Sequence, residues 1–432
     1  MKKTKTARTI AALLALASVI TLAGCAKKAA TIVSPKPAPT IVTEENVREA
    51  AHGASAGVSD FAFRLAAELV AERDDENLIF SPISVWLPLA ALANATDDAN
   101  RDALLSALGV AGANAGELNA MASSMLEALL HKPEHVTSAQ VPLRIVNAIF
   151  VSQNEKLKST FSQAFAGYFG GTAMNIDFAS PSAVDAVNKW VSENTDGLIQ
   201  NVVDEFDQSA VAVIANAVYF SDRWAWEFRE ENTREMDFHS PTGVETAHFM
   251  LRDGDEQQYY EDDELQAMPL HFKTGGTMYI LLPRDGDAAG LLSELTSERF
   301  DEICTSFEER TGTLLLPRFT ADSGVMTLGD ALKTLGVPLF DKALAPLTGG
   351  LIESADSVWI DAAVQKAYIE VDEKGTTAAA VTVMAMISDD LPMPDEAPPF
   401  EMTCDKPFVY VLCGSVKGEN VPLFIGIVNH AE

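Results

Sequence analysis

Seven histidines, four cysteines and 62 carboxylates are the groups in this chain that could do chemistry. None of them falls into a catalytic pattern. There is no His-Glu-x-x-His to hold a zinc ion, no Gly-x-Ser-x-Gly elbow and no Walker loop. Lys273-Thr274-Gly275 matches one fragment of a β-lactamase site, but the Ser-x-x-Lys nucleophile such a site requires is absent from the chain. His271 beside it reads as a surface or half-buried residue. Cys25, Cys304, Cys404 and Cys413 lack a Cys-x-x-Cys spacing, so buried single thiols are expected, with a Cys404–Cys413 pair as the alternative. The chain reads as a non-enzyme that needs neither cofactor nor metal.

One stretch could instead be acted upon. Residues 373–390 read EKGTTAAAVTVMAMISDD and run into LPMPDEAPP. The Thr, Val, Ile and Met residues between Thr376 and Ile387 suit a pleated strand. Gly375 and the Asp/Pro-rich tail suit an exposed loop. The segment has the composition of a loop that can become a strand. In strand geometry Thr376, Ala378, Ala380, Thr382 and Met384 share one face. None is charged, and the first three are small. Thr382 can bury its hydroxyl only against a hydrogen-bonding partner.

The surrounding elements alternate between helical and strand patterns without the rhythm of a parallel sheet, which predicts an α+β domain from about residue 46. VSDFAFRLAAELVAE places Phe61, Leu65 and Leu69 on one helical face. Ser180-Pro181 opens a second helix, with Val184, Val187 and Val191 at helical spacing and Gly197 as its stop. Strand patterns dominate later, in VAVIANAVYF, TMYILLP, TLLLPRF, AYIEVDE, PFVYVLC and VPLFIGIV, the last two joined by a hairpin-like GSVKGEN.

The N-terminus carries Lys2, Lys3, Lys5 and Arg8, then the apolar run IAALLALASVITLAG, then Leu22-Ala23-Gly24-Cys25. This is the order of a secretory signal. Its ending resembles a bacterial lipobox, which implies a signal peptide over 1–24 and a lipid on Cys25 that holds the protein at the outer face of the cell membrane. An ordinary signal peptide or an uncleaved anchor is the alternative. Residues 25–45 read as a Pro-containing tether. The formal charge is −31, with 31 bases. Losing the first 24 residues, four bases and no acid, would take it to about −35. A field of that sign excludes nucleic acid and heparin-like polyanions as partners.

Eight segments, in order, resemble the serpin family over residues 46–432. They are NLIFSPISV, NKWVSENTDGLI, NAVYFSDRWAWEF, LLLPRF, LGVPLFDKALAPLTG, KAYIEVDEKGTTAAA, KPFVYVL and PLFIGIV. The resemblance implies a serpin fold: a mixed central sheet, further sheets, about eight to nine helices, and a reactive-centre loop over about 373–400. It also implies a monomer that traps serine proteases irreversibly. A protease cuts the loop, and the N-terminal part inserts as a strand while the acyl ester persists. The hinge would comprise Glu373, Gly375, Thr376, Thr377, Ala378, Ala379, Ala380 and Thr382. No Pro, charge or bulky side chain interrupts 376–380, as non-inhibitory members usually have it.

Further roles follow from the same resemblance. Glu373 would pair with Arg318 near Trp224 at the breach, where the loop enters. Ser81, Ser84 and Asn216 would form the shutter, with Gln365 where the family usually has His. A Gln amide can replace the imidazole's donor and acceptor but does not titrate. The family's count from Glu373 puts the scissile bond at Asp389–Asp390, favouring an acid-directed protease. Cleavage after Met386, Ile387 or Ser388 would suit elastase- or subtilisin-like enzymes, which is the preferred reading. Trypsin-like targets are disfavoured, because no Lys or Arg lies between Thr376 and Cys404. The competing expectation is a non-inhibitory surface-binding lipoprotein of the same fold.

Overall fold

A computed structural model describes residues 30–32, 44–71, 75–131, 142–195, 197, 201–206, 211–353, 358–360, 363–376 and 398–431. Among the described residues there are nine α-helices and three sheets of four or more strands. The eight strands that form the central sheet are β1 (Ala30–Ile32), β2 (Leu143–Ser152), β3 (Gly171–Ile176), β4 (Ala212–Phe220), β5 (Asp222–Arg223), β6 (Phe319–Asp322), β7 (Tyr368–Asp372) and β8 (Gly375–Thr376).

These strands make two ladders, β1-β3-β2-β4 and β6-β7-β8-β5. Strands β4 and β5 are one run of chain interrupted only at Ser221, whose amide donates to Pro142 O at 2.8 Å. The two ladders are therefore joined at one end and parted below it. Among the described residues β4 pairs only with β2, and β7 only with β6 and β8. Most of β4 stays half-exposed in consequence, although ANAVYF has the composition of a central strand.

Helix α2 (Pro82–Leu92) lies behind the parted strands, and every residue in it is buried. Ser81 stands at its N-cap in an extended conformation, and Pro82, which lacks the N–H that would go unpaired there, opens the first turn. A helix apolar all round must sit inside the molecule. A nine-stranded sheet backs the other side. In it Phe408–Val416 and Glu419–Val428 form the hairpin read from GSVKGEN. Lys417 and Gly418 both take positive φ in its two-residue turn, the geometry that matches strand twist.

One segment differs from the sequence reading. Helix α1 (Glu44–Ala71) begins at the end of the segment read as a tether, and Ala30–Ile32 within it is a strand pairing antiparallel with β3. The β-branched Thr31 and Ile32 suit a strand, and β3 is otherwise an open sheet edge. The three described thiols, Cys304, Cys404 and Cys413, are free. Burial pushes Cys304 up to about 12, so it is a poor nucleophile at neutral pH. Among the described residues no His/Cys/Asp/Glu cluster could hold a metal, and no helix is long and apolar enough to cross a membrane.

Candidate functional site

The site begins where β7 turns back on itself. Asp372 pairs with Gly375 and Val371 with Thr376, so Glu373 and Lys374 form the turn of a tight hairpin. The outer side of β8 pairs with β5, through Gly375–Arg223 and Thr376–Asp222. Gly375 and Thr376, near the start of the loop-like segment, thus already lie between β7 and β5 as a short central strand. The sequence reading held Thr376 outside the sheet until insertion. Here it is 1% exposed.

Local chemistry explains that placement. Gly375 has φ +143°, and a Cβ there would stand 2.2 Å from Asp222 O. Only glycine allows the hairpin to approach β5 so closely. The Thr376 hydroxyl accepts from the Asp222 amide at 3.2 Å, and Thr376 O accepts from Ser221 Oγ at 3.2 Å. A small β-branched residue with a hydroxyl therefore satisfies both its burial and its polarity.

Trp224 and Arg318 clamp the turn. The Trp224 ring is fully buried and stacks on Phe272 with centroids 4.3 Å apart. Its Nε1–H donates to Asp372 O at 2.9 Å, and its amide donates to Lys374 O at 2.8 Å. It is a packing residue and a hydrogen-bonding residue at once. Arg318 Nε reaches both Glu373 carboxylate oxygens at 3.0 Å, and a terminal guanidinium nitrogen reaches Oε1 at 2.6 Å. Thr233 Oγ1 donates to the same oxygen at 2.5 Å, and the Phe228 amide to Glu373 O at 2.9 Å. Burial pushes the Glu373 carboxyl up, but the bonds from Arg318 and Thr233 outweigh it and hold the carboxyl below its usual range. Thr233 escaped the sequence reading, because nothing local marks a residue so distant along the chain as a partner of the turn.

A second polar group lies below, where the sheet is parted. Gln365 accepts from the Ser81 amide at 2.9 Å through Oε1, and its Nε2 donates to Ser81 O at 2.8 Å and to Ser84 Oγ at 2.5 Å. Asn216 is not bonded into this set. Its Nδ2 donates to Asn147 Oδ1 at 2.5 Å, and Asn147 in turn donates to Phe169 O at 2.8 Å. The four residues named from the sequence therefore form two units, Ser81–Ser84–Gln365 and Asn216–Asn147. Asn147, directly opposite Asn216 in the β2–β4 register, was missed because its strand carries no motif. Among the described residues Ser81 Oγ and Asn216 Oδ1 are both buried and have no hydrogen-bond partner.

Thr377, Ala378, Ala379, Ala380 and Thr382, the bond candidates Met386, Ile387, Ser388, Asp389 and Asp390, and Cys25 lie outside the described residues. The far end of the segment is anchored. Phe400 stacks on Tyr259 with centroids 4.3 Å apart, and Arg310 donates to Pro398 O at 2.8 Å. The strand Phe400–Thr403 runs parallel to Glu308–Pro317.

The model of the serpin (serine protease inhibitor) family matches residues 56–431. Serpin-ZX of Hordeum vulgare is 30% identical over 387 residues, covering 85% of this chain and 94% of that protein. Among solved structures, the thermophilic serpin Tengpin in its native state superposes with a TM-score of 0.76 at 23% identity, covering 93% of this chain and all of that one. Human thyroxine-binding globulin, solved with its hormone, superposes at 0.74 with 20% identity, covering 89% of this chain and 99% of that one. The last pair of likenesses is one of fold.

Proposed function

The chain belongs to the serpin family, whose members are mostly inhibitors of serine proteases and not enzymes; on that premise we propose that it traps a serine protease by loop cleavage and strand insertion. The observation that carries the reading is the position of Gly375 and Thr376. They are laddered between β7 and β5, directly above the gap between β7 and β4. Cleavage beyond them frees the following residues to continue a strand whose first two rungs are in place. Each added rung satisfies backbone groups on both flanking edges, at roughly 1 kcal/mol per bond, and further burial adds to that. The acylated protease moves with the inserting strand before water reaches the ester.

The preferred targets are elastase- or subtilisin-like enzymes, since the loop sequence has small and apolar residues at Met386, Ile387 and Ser388 and no base between Thr376 and Cys404. The protein acts at the outer face of a bacterial cell membrane, held by lipid on Cys25. Incubation with elastase, subtilisin and trypsin tests the reading. An SDS-stable complex with either of the first two, and a released C-terminal peptide beginning at residue 387, 388 or 389, is expected. Cleavage by every enzyme with no complex from any would favour the non-inhibitory alternative.

A further inference from the structure

The central sheet has two unlike ends, and strand β1 shows at which of them the chain joins it. Thr376 and Asp222 pair at the hairpin end. From Asp222 the run of β5 and β4 leads back to Val211, whose carbonyl accepts from the Ser152 amide at 2.9 Å. Ser152 pairs with Ile176 in the parallel β2–β3 ladder, and Ile176 pairs with Ala30. Ala30 therefore lies level with Val211, eleven residues before Asp222. At the rise of a strand, that is roughly 36 Å along the sheet from the hairpin.

The direction of pairing places the chain's entry. Because β1 runs antiparallel to β3, its first residue stands at the end away from the hairpin, and its last, Ile32 opposite Met174, stands nearer to it. A parallel strand would have entered from the hairpin end. Three rungs make a short ladder, but β3 would otherwise be an open edge, and a segment of the same chain is held beside it at high effective concentration. Cys25 is five residues before Ala30, so an anchor there lies within about 18 Å of it even at full extension. Were β1 released, the leash from Cys25 to helix α1 at Glu44 would be nineteen residues, with a reach of roughly 65 Å.

We propose that β1 sets the direction of the anchored protein: the Ala30–Ile176 end of the central sheet faces the membrane, and the β7–β8 hairpin that leads into the reactive-centre loop faces outward. Charge acts the same way. A chain of formal charge −31 is repelled by anionic headgroups, so a body on so short a leash stands away from the surface. The partner that fits is a protease free in the surrounding medium, which meets the loop from outside. A protease held close to the same membrane meets the opposite end of the sheet. The proposal rests on the anchoring and inhibition readings above and adds a direction to them.

The test uses the full lipidated chain in phospholipid vesicles, labelled with a dye at one introduced cysteine at a time. Cys304→Ser first removes the described thiol that is not fully buried. Asn154→Cys, in the exposed turn after β2, marks the Ala30 end. Glu231→Cys, exposed and three residues beyond Phe228, whose amide donates to Glu373 O, marks the hairpin end. With nickel-chelating headgroups as a short-range quencher, the Asn154→Cys label should be quenched several-fold more than the Glu231→Cys label. Combining Ala30→Pro with Thr31→Pro removes a ladder donor whichever of the two faces β3, because successive N–H groups of a strand point to opposite sides. The two labels should then be quenched alike. Subtilisin in solution should be trapped equally by wild type and the double-proline variant, whereas subtilisin tethered to a headgroup should be trapped about tenfold more slowly by wild type.

Equal quenching of the two labels in wild type would overturn the assignment of ends while anchoring stands. A double-proline variant with the wild-type quenching pattern would remove β1 as its cause. Tethered subtilisin trapped at one rate by both proteins would overturn the choice of partner. If the chain does not sediment with the vesicles, the anchoring reading fails and the direction with it; if subtilisin in solution yields no complex, the inhibition reading fails and the partner with it.

Discussion

Glu373 and Arg318 form a forked ion pair at the turn of the β7–β8 hairpin, with the carboxylate side chain 4% exposed and the guanidinium 39% exposed. The asymmetry is informative. The acid is buried under the turn and the base reaches it from solvent, so the pair is a latch that closes on the hairpin from outside. Lys374, the other turn residue, reaches outward to Glu230 at 2.9 Å. The hairpin keeps Thr376 inside the sheet, and the latch keeps the hairpin.

Removing the base leaves a buried carboxylate with the Thr233 hydroxyl and a backbone amide as donors but no counter-charge bonded to it. Arg318→Ala should destabilise the uncleaved protein by about 1–3 kcal/mol, below the usual penalty for breaking a fully buried pair because the guanidinium is partly screened. Glu373→Gln, which keeps hydrogen-bonding capacity without the charge, should cost less. Denaturant midpoints of the two variants check the order, and an equal or reversed cost would contradict the latch.

The same pair sets an acid limb. The Glu373 carboxyl is held below its ordinary value of 4.5, so folding depletes it of protons relative to the unfolded chain. Its contribution to stability is fully present above that ordinary value and is lost as pH falls through the folded value. Glu373→Gln should lose less stability than wild type between pH 5 and the folded value, with the two curves parallel above about pH 5. Urea midpoints measured across that range decide it; curves parallel throughout would remove Glu373 from the acid limb.

Much of this arrangement is legible in the sequence, and the remainder is hidden for physical reasons. The strands read from TMYILLP and PFVYVLC exist because continuous apolar runs bounded by turn residues have few other ways to be buried. Glycine at 375 reads as a hinge, but its close approach to Asp222 O depends on a strand far away in sequence. Thr233 and Asn147 have no local pattern, since their partners are brought to them by sheet pairing. Ala30–Ile32 reads as linker because a three-residue strand is too short for period-two alternation to show. Asn216 reads as a member of the Gln365 cluster only by family position. The structure separates the two because the Gln amide spends itself on Ser81 and Ser84.

Cys25 is the point where location can be tested. The basic n-region, the apolar run and Leu22-Ala23-Gly24-Cys25 motivate a lipid anchor. Cys25→Ser should abolish metabolic labelling with a fatty acid and move the protein out of the membrane fraction. A variant that still partitions with membranes would show that residues 1–24 remain as an uncleaved anchor.

Thr376 tests the mechanism. It is 1% exposed between β5 and β7, its hydroxyl engaged by the Asp222 amide. Thr376→Arg would force a bulky guanidinium into a position that is 1% exposed and fitted to a small side chain, at a cost of several kcal/mol, so the hairpin should leave the sheet even before cleavage. The scissile region lies many residues beyond and keeps its sequence. The variant should therefore be cut by the target protease at a second-order rate similar to wild type. Insertion must then begin from an expelled first rung, so deacylation overtakes it, and most encounters should end in cleaved protein with little covalent complex. Thr376→Ser, which keeps the hydroxyl and the small size, should inhibit like wild type. The ratio of complex to cleaved product on a denaturing gel reads both. An arginine variant that traps protease as efficiently as wild type would mean that strand insertion through this hinge is not how the protein inhibits.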